Sequence, residues 1–233
     1  MKLLALDTST EACSVALQIG AEILSLDEVC PQQHSKRVLP MVQQLLSQAG
    51  IALKDLDGIV FGRGPGSFTG VRIGVGVAQG LAFGAGVPLY GVSTLAAMAQ
   101  AAKRLYHADK VVAAIDARMA EVYLGCYQLD AAGLMQLTGE EIARKPAELV
   151  AADVPAGFGA AKVFGVGTGF QTYPDALTAW QQVHICPQIL YPSAQDMLVL
   201  SQVALTKGLF VEPELAEPTY VRDEVTWQKL PGR

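Results

Sequence analysis

No basic run longer than two residues occurs in the 233-residue chain, and its formal net charge is −5. A protein that grips nucleic acid unaided carries a Lys/Arg footprint, so that class is excluded, and any RNA must be held largely by another chain. Cys13, Cys30, Cys126 and Cys186 share no Cys-x-x-Cys spacing. That removes zinc and a redox pair and fits a cytoplasmic chain with reduced thiols. Histidine is scarce, and His34, His107 and His184 stand singly, as expected of surface or capping residues. Charge is absent from 73 to 102, but Pro88, six glycines, Gln79 and Ser93 interrupt the run, which suits a buried core helix and not a membrane span. The first apolar stretch ends at Asp7 after four residues, too short for the h-region of a signal peptide.

What is present begins with FGRGPGSFTGVRIGVGVAQGLAFGAG, from Phe61 to Gly86, where an apolar strand breaks into a glycine loop and then a helix of small residues. Gly64, Gly66, Ser67 and Gly70 beside a helix N-terminus read as a phosphate cradle or as a tight structural turn. No Lys-Ser/Thr pair follows, and Ser67 stands where a Gly-x-Gly-x-x-Gly pattern needs its third glycine, so neither nucleotide fingerprint is complete. In the helix, Gly70, Gly74, Ala78 and Ala82 fall in one i, i+4 row and Gly76, Gly80 and Gly84 in another, with Ile73, Val77 and Leu81 between them. A helix apolar nearly all round must be covered on more than one face. Each interior glycine costs roughly 0.5 to 1 kcal/mol against alanine, so the rows imply a packing need that outweighs propensity.

The chain echoes itself. LLALDTSTEACSVALQIG at 3 to 20 is similar to VAAIDARMAEVYLGCYQL at 112 to 129, and GVGTGF at 165 to 170 repeats the glycine loop. This predicts an α/β fold of two related mixed-sheet domains, 1–106 and 107–233, with a cleft between them and about the last 20 residues returning to the first lobe. The first half carries a net charge of +1 and the second −6. Helices are expected from Ser35 with Pro40 inside it, from Ser93 or Thr94, and from Ser193 with Asp196 as a capping box.

In order, DTSTEACSVAL, CPQQHSKRVLPMVQ, GRGPGSFTGVRIGVGVAQGLA, GVSTL, AAIDARMAEVY and EPTYVRD resemble the TsaB family of bacterial tRNA threonylcarbamoyladenosine biosynthesis proteins across essentially the whole chain. The resemblance implies the actin, Hsp70 and sugar kinase fold with duplicated RNase H-like domains. It implies a non-catalytic role beside a TsaD-like catalytic subunit and a TsaE-like ATPase, with tRNA reached only through the complex. It also implies that the helices at about 35 to 49 and 70 to 85 pair with that subunit, through Val38, Met41, Val42 and Leu45 on one and Gly70, Gly74, Val77, Ala78 and Leu81 on the other. An isolated chain would cover this apolar face by forming a homodimer.

The catalytic paralogue carries a His-x-x-x-His metal pair at the positions held here by Thr94 and Met98, and neither replaces imidazole. No intrinsic metal or cofactor is therefore expected, although ATP or ADP could bind weakly or with a partner. Two other readings stand beside this one. An ATPase or kinase-like enzyme would use the interlobe cleft, with Asp7, the Gly62 to Gly70 loop and the Gly165 to Gly169 loop around the phosphates, and Thr8, Arg63, Ser67, Arg118 and Gly167 stand as candidate nucleotide or interface contacts. A metallopeptidase, the older glycoprotease label of such proteins, would need a metal or a nucleophile that the sequence does not assemble. Asp7 with Thr8, Ser9 and Thr10 also makes an ordinary Asx or Ser/Thr turn. Arg118 grips either a phosphate or an internal carboxylate of an Asp/Arg/Glu network bridging the lobes.

Overall fold

Alternation of strand-length and helix-length apolar segments dictates the element order. β1 (Lys2–Asp7), β2 (Ala12–Ile19) and β3 (Glu22–Val29) form a meander, followed by α1 (His34–Ala49), β4 (Gly58–Gly64), α2 (Phe68–Ala85), β5 (Leu89–Ser93) and α3 (Thr94–Tyr106). The second half holds β6 (Lys110–Asp116), β7 (Val122–Leu129), β8 (Met135–Leu137), β9 (Ile142–Arg144), β10 (Phe164–Val166), α4 (Thr168–Thr172), α5 (Pro174–Trp180), β11 (His184–Ile185) and α6 (Ala194–Thr206). The computed structural model describes residues 1–156, 158 and 162–222; Asp223, which ends the EPTYVRD stretch, lies outside the described residues.

Two mixed sheets result, ordered β3-β2-β1-β4-β5 and β11-β10-β6-β7-β8, with β9 also paired to β7. The sequence echo is an echo of pairing. β1 runs antiparallel to β2 and parallel to β4, as β6 runs antiparallel to β7 and parallel to β10. Both central strands are buried on both faces, and period-two alternation divides their side chains between cores. Leu4 and Leu6 of β1 enter the core under α1 and α2, while Leu3 and Ala5 enter the core under α6. In β6, Val111, Ala113 and Ile115 face α3, and Val112 and Ala114 face the opposite core with Phe170 and Leu177. Full burial of one such leucine contributes about 1.5–3 kcal/mol.

α3 and α6 fill the space between the sheets and are joined by a paired charge. Arg104 donates to both carboxylate oxygens of Asp196, at 2.9 and 2.7 Å. This changes the expected start of α6: Ser193 is the N-cap residue, but its side chain makes no capping bond and donates to Asp27 instead. α1 likewise starts at His34 behind Gln33, one residue before the expected Ser35, and contains Pro40. Ser93 does cap α3, accepting from the amide of Ala96.

From α6 onward the chain returns to the first sheet, earlier than residue 214. Val211 bridges Leu89, the Gln79 amide donates to the carbonyls of Pro213 and Ala216, and the Thr219 amide donates to the Arg63 carbonyl.

Candidate functional site: the interlobe cleft and the outer helix face

The turn after β1 holds Asp7 in place by itself. The Asp7 carboxylate accepts from the amide and hydroxyl of Ser9, at 2.9 and 2.8 Å, and the Ser9 hydroxyl in turn accepts from Thr94. The group is 1 % exposed. Burial pushes its carboxyl up to about 6, against the opposing effect of the Ser9 hydrogen bonds. The neighbouring strand leaves it no spare room, since a Cβ at Gly62 would collide with the carboxylate.

The glycine loop is docked on this turn rather than open above it. Thr8 donates to the Gly70 carbonyl at 2.7 Å, and the Ser67 amide donates to the Ser9 carbonyl at 2.7 Å. A Cβ on Gly66 would strike the Ser9 carbonyl, and one on Gly70 the Thr8 carbonyl. α2 begins at Phe68, two residues before the expected Gly70, with the Ser67 hydroxyl as its cap. Backbone from residues 8 and 9 thus occupies the space where the loop would cradle a phosphate. Gly167 repeats the arrangement in the second half, where a Cβ would strike the Ala114 carbonyl.

Between the turns lies a cavity of about 440 Å³, bounded by Ser9 to Glu11 on one side and Asp116 to Met119 on the other. Arg118, Met119 and Ala120 all adopt left-handed backbone, with φ of 64°, 54° and 59°. That conformation is costly for side chains with a Cβ and directs Arg118 across the cleft to Glu11 at 3.1 Å. A second bridge joins Arg222 to Glu121 at 2.5 Å. The Arg118 pair is exposed, so it stabilises the fold by only about 0–1 kcal/mol. Arg63, expected beside the loop, is exposed, and its carbonyl is taken by Thr219.

The expected interface residues divide by face. Val38, Met41, Val42 and Leu45 of α1, and Gly70, Gly74 and Ala78 of α2, are buried in the chain's own core, with Ala78 at 0 % exposure. α1 packs chiefly on β2, and α2 on β4 and the turn after β1: a Cβ on Gly74 would lie 2.8 Å from the Thr8 hydroxyl. A charge at Ala78 or Gly74 would therefore disrupt the fold before it reached any partner. Val77 and Leu81 are half-buried, and the outward face belongs to Gly76, Gly80 and Gly84, at each of which a Cβ would meet open space. Phe83 beside them is 75 % exposed, whereas Val71 and Val75 of the same helix are buried. Between α1 and α2 lies an apolar groove of about 440 Å³, lined by Leu39, Leu46, Ile51, Leu53 and Leu81.

Thr94 and Met98, at the paralogue's metal-ligand positions, are both fully buried. The Thr94 hydroxyl is bonded to Ser9, and the Met98 methyl lies against Gly167, so these residues do not fit a metal. Among the described residues no group of three or more His, Cys, Asp or Glu could hold one. Burial pushes the thiols of Cys13 and Cys126 up to about 12, which leaves neither as a thiolate at neutral pH. His107 caps α3 and His184 lies exposed on β11, but His34 departs from expectation: it is buried at the start of α1, its Nε2 without a partner among the described residues. One cluster had no sequence signal. Ser93 and the buried Tyr127 both donate short hydrogen bonds to Glu141, residues separated by 34 and 14 positions.

Two sheets built on one plan, with a cleft between their hairpin turns, define a two-lobed α/β protein of the actin, Hsp70 and sugar kinase type. Residues 25–230 match the family model described as TsaD, tRNA N6-adenosine threonylcarbamoyltransferase. The chain is 47% identical to the tRNA threonylcarbamoyladenosine biosynthesis protein TsaB of Escherichia coli K12 over 233 residues, covering 100% of both chains. It is 44% identical to TsaB of Haemophilus influenzae over 240 residues, covering 100% of this chain and 98% of the other. A solved structure, YeaZ from Pseudomonas aeruginosa, superimposes with a TM-score of 0.86 at 49% identity, over 94% of this chain and 99% of that one. The chain belongs to the TsaB family, within the wider TsaD-type family. No helix among the described residues is long and apolar enough to cross a membrane.

Proposed function

We propose that this chain is a non-catalytic, activating subunit of the machinery that adds a threonylcarbamoyl group to N6 of the adenosine next to the anticodon, in tRNAs reading codons that start with A. Its partner is a TsaD-like catalytic subunit, seated on the outer face of α1 and α2. The observation that carries this reading is the row Gly76, Gly80 and Gly84, open to space on an apolar helix beside an exposed Phe83. Glycine is a poor helix former, and none of the described residues occupies the room these three leave. A second helix approaching closely would fill it, and the groove beside Leu39 and Leu81 would bury the partner's apolar side chains.

The same face supports a symmetric homodimer in the isolated chain, in exchange with the heterodimer. ATP or ADP binds weakly or only with the partner, because the backbone of Thr8 and Ser9 fills the glycine loop. A TsaE-like ATPase joins the assembly, and most of the tRNA is held by the catalytic subunit. The test is reconstitution with each component omitted in turn. Modification should require both this chain and the TsaD-like protein; transfer by this chain alone, or full transfer without it, would overturn the reading.

A further inference from the structure

A further cavity adjoins the interlobe cleft, with which it shares Gly66, Phe68, Tyr123 and Arg222. It holds about 650 Å³, between the first turn of α2 and the returning segment at Thr219 to Arg222. That volume is within the range small ligands fill. Its walls are aromatic and cationic. Phe68 and Tyr220, 63 % and 51 % exposed, face one another with ring centroids 6.3 Å apart. The Arg72 guanidinium lies 3.3 Å from the centre of the Phe68 ring and 4.9 Å from that of Tyr220. Tyr123 and Arg222 close the far side, and among the described residues no carboxylate lines the cavity. Among the described residues Arg72 has no acidic partner: its guanidinium donates only to the Phe68 carbonyl, at 3.3 Å.

Aromatic faces with an uncompensated guanidinium suit a ligand that joins a flat π-surface to a negative charge. We infer that this cavity takes one unpaired nucleotide of an RNA strand: the Arg72 guanidinium, which covers a face of Phe68, swings to the phosphate, and the base takes its place against Phe68 and Tyr220. RNA is chosen over a free nucleotide because Phe68 and Tyr220 are exposed and, of the two guanidiniums that line the cavity among the described residues, Arg222 is paired with Glu121, which leaves Arg72 for a single phosphodiester. Such a site positions an RNA end without gripping it, which agrees with the absence of basic runs and the net charge of −5. The inference rests on the proposed role in RNA modification for its choice of ligand, but not for its test.

The test is fluorescence anisotropy of a labelled hexaadenylate strand with the full chain and no partner present. Binding is expected at about 10⁻⁴ M, the weak end of the range for non-specific contacts, since one guanidinium meets one phosphate. Phe68→Ala and Tyr220→Ala should each weaken it about 5- to 100-fold, the effect of losing one stacked base. Arg72→Gln should weaken it and flatten its salt dependence, while Leu137→Ala, a distant exposed apolar residue, should not. Circular dichroism melts confirm that each variant folds. Three results would overturn the inference: no binding below about 1 mM, binding that the folded ring variants leave unchanged, or AMP bound as tightly as the strand. Ring variants that bind RNA normally but lose the TsaD-like protein would assign the cavity to a protein contact instead. Because no partner is present, failure here leaves the subunit reading standing.

Discussion

Gly62 exists where it does because of Asp7: any side chain on the strand β4 residue would overlap the carboxylate of its neighbour on β1. The two are held at this distance by the parallel register that pairs Leu6 with Phe61. A buried acid, a missing side chain and a turn closed by Ser9 form one unit, and that unit seats the N-terminus of α2.

Holding Asp7 charged costs stability. Its carboxyl is raised from 3.8 to about 6, so the folded chain binds a proton more readily than the unfolded chain between those values. Stability from this group is therefore greatest below about pH 4 and falls as pH rises through 6, by roughly 3 kcal/mol in all. Asp7→Asn should stabilise the protein by about 1–3 kcal/mol at pH 8 and by far less at pH 4.5. Urea denaturation at the two pH values checks this; a gain independent of pH would refute it.

Glycines of the same helix should respond oppositely to alanine. At Gly70 the new methyl would strike the Thr8 carbonyl, whereas at Gly76 or Gly84 it meets open space. Gly76→Ala and Gly84→Ala should stabilise the isolated chain by about 0.5–1 kcal/mol each, the propensity difference alone. Gly70→Ala should destabilise it by more than about 1 kcal/mol. Thermal melts of the three variants separate the outcomes; equal effects would mean that close packing does not decide these positions.

The Arg104–Asp196 pair should matter through its buried member. Asp196 is 0 % exposed and its carboxyl is raised by burial, against the lowering effect of Arg104. Arg104→Ala leaves that carboxylate without its cation and should cost about 2–4 kcal/mol. Adding Asp196→Leu to Arg104→Ala should recover part of the loss. A double variant less stable than the single one would show that the unpaired carboxylate is not the source of the loss.

The sequence made the architecture legible because both lobes use the same signals: an apolar strand, an Asp-led turn and a second strand. Asp7 and Arg118 each admitted two readings, and the geometry ties both into the fold, Asp7 through Ser9 and Arg118 through Glu11. Helix faces were harder. Gly74, Ala78 and Gly80 are alike in composition, so periodicity finds the rows but not which row meets the sheet; that is set by the docking of Thr8 on Gly70. Ser193 and Asp196 have capping-box spacing, yet both side chains are recruited by distant partners, Asp27 and Arg104. Contacts such as Glu141 with Ser93 join separate sheets and leave no local pattern.

The central claim is that the outer face of α2 seats the catalytic partner, and Gly80→Arg tests it most directly. Replacing a helical glycine that faces open space should leave the chain folded, and by propensity slightly more stable, so a loss of binding cannot be ascribed to unfolding. The measurement is size-exclusion chromatography with light scattering of wild type, Gly80→Arg and Phe83→Glu, each alone and mixed with the TsaD-like subunit. Both variants should elute as folded monomers and fail to join the subunit, since a charge forced into a close helix contact costs several kcal/mol. Folded Gly80→Arg protein that still dimerises and still binds the TsaD-like subunit would contradict it.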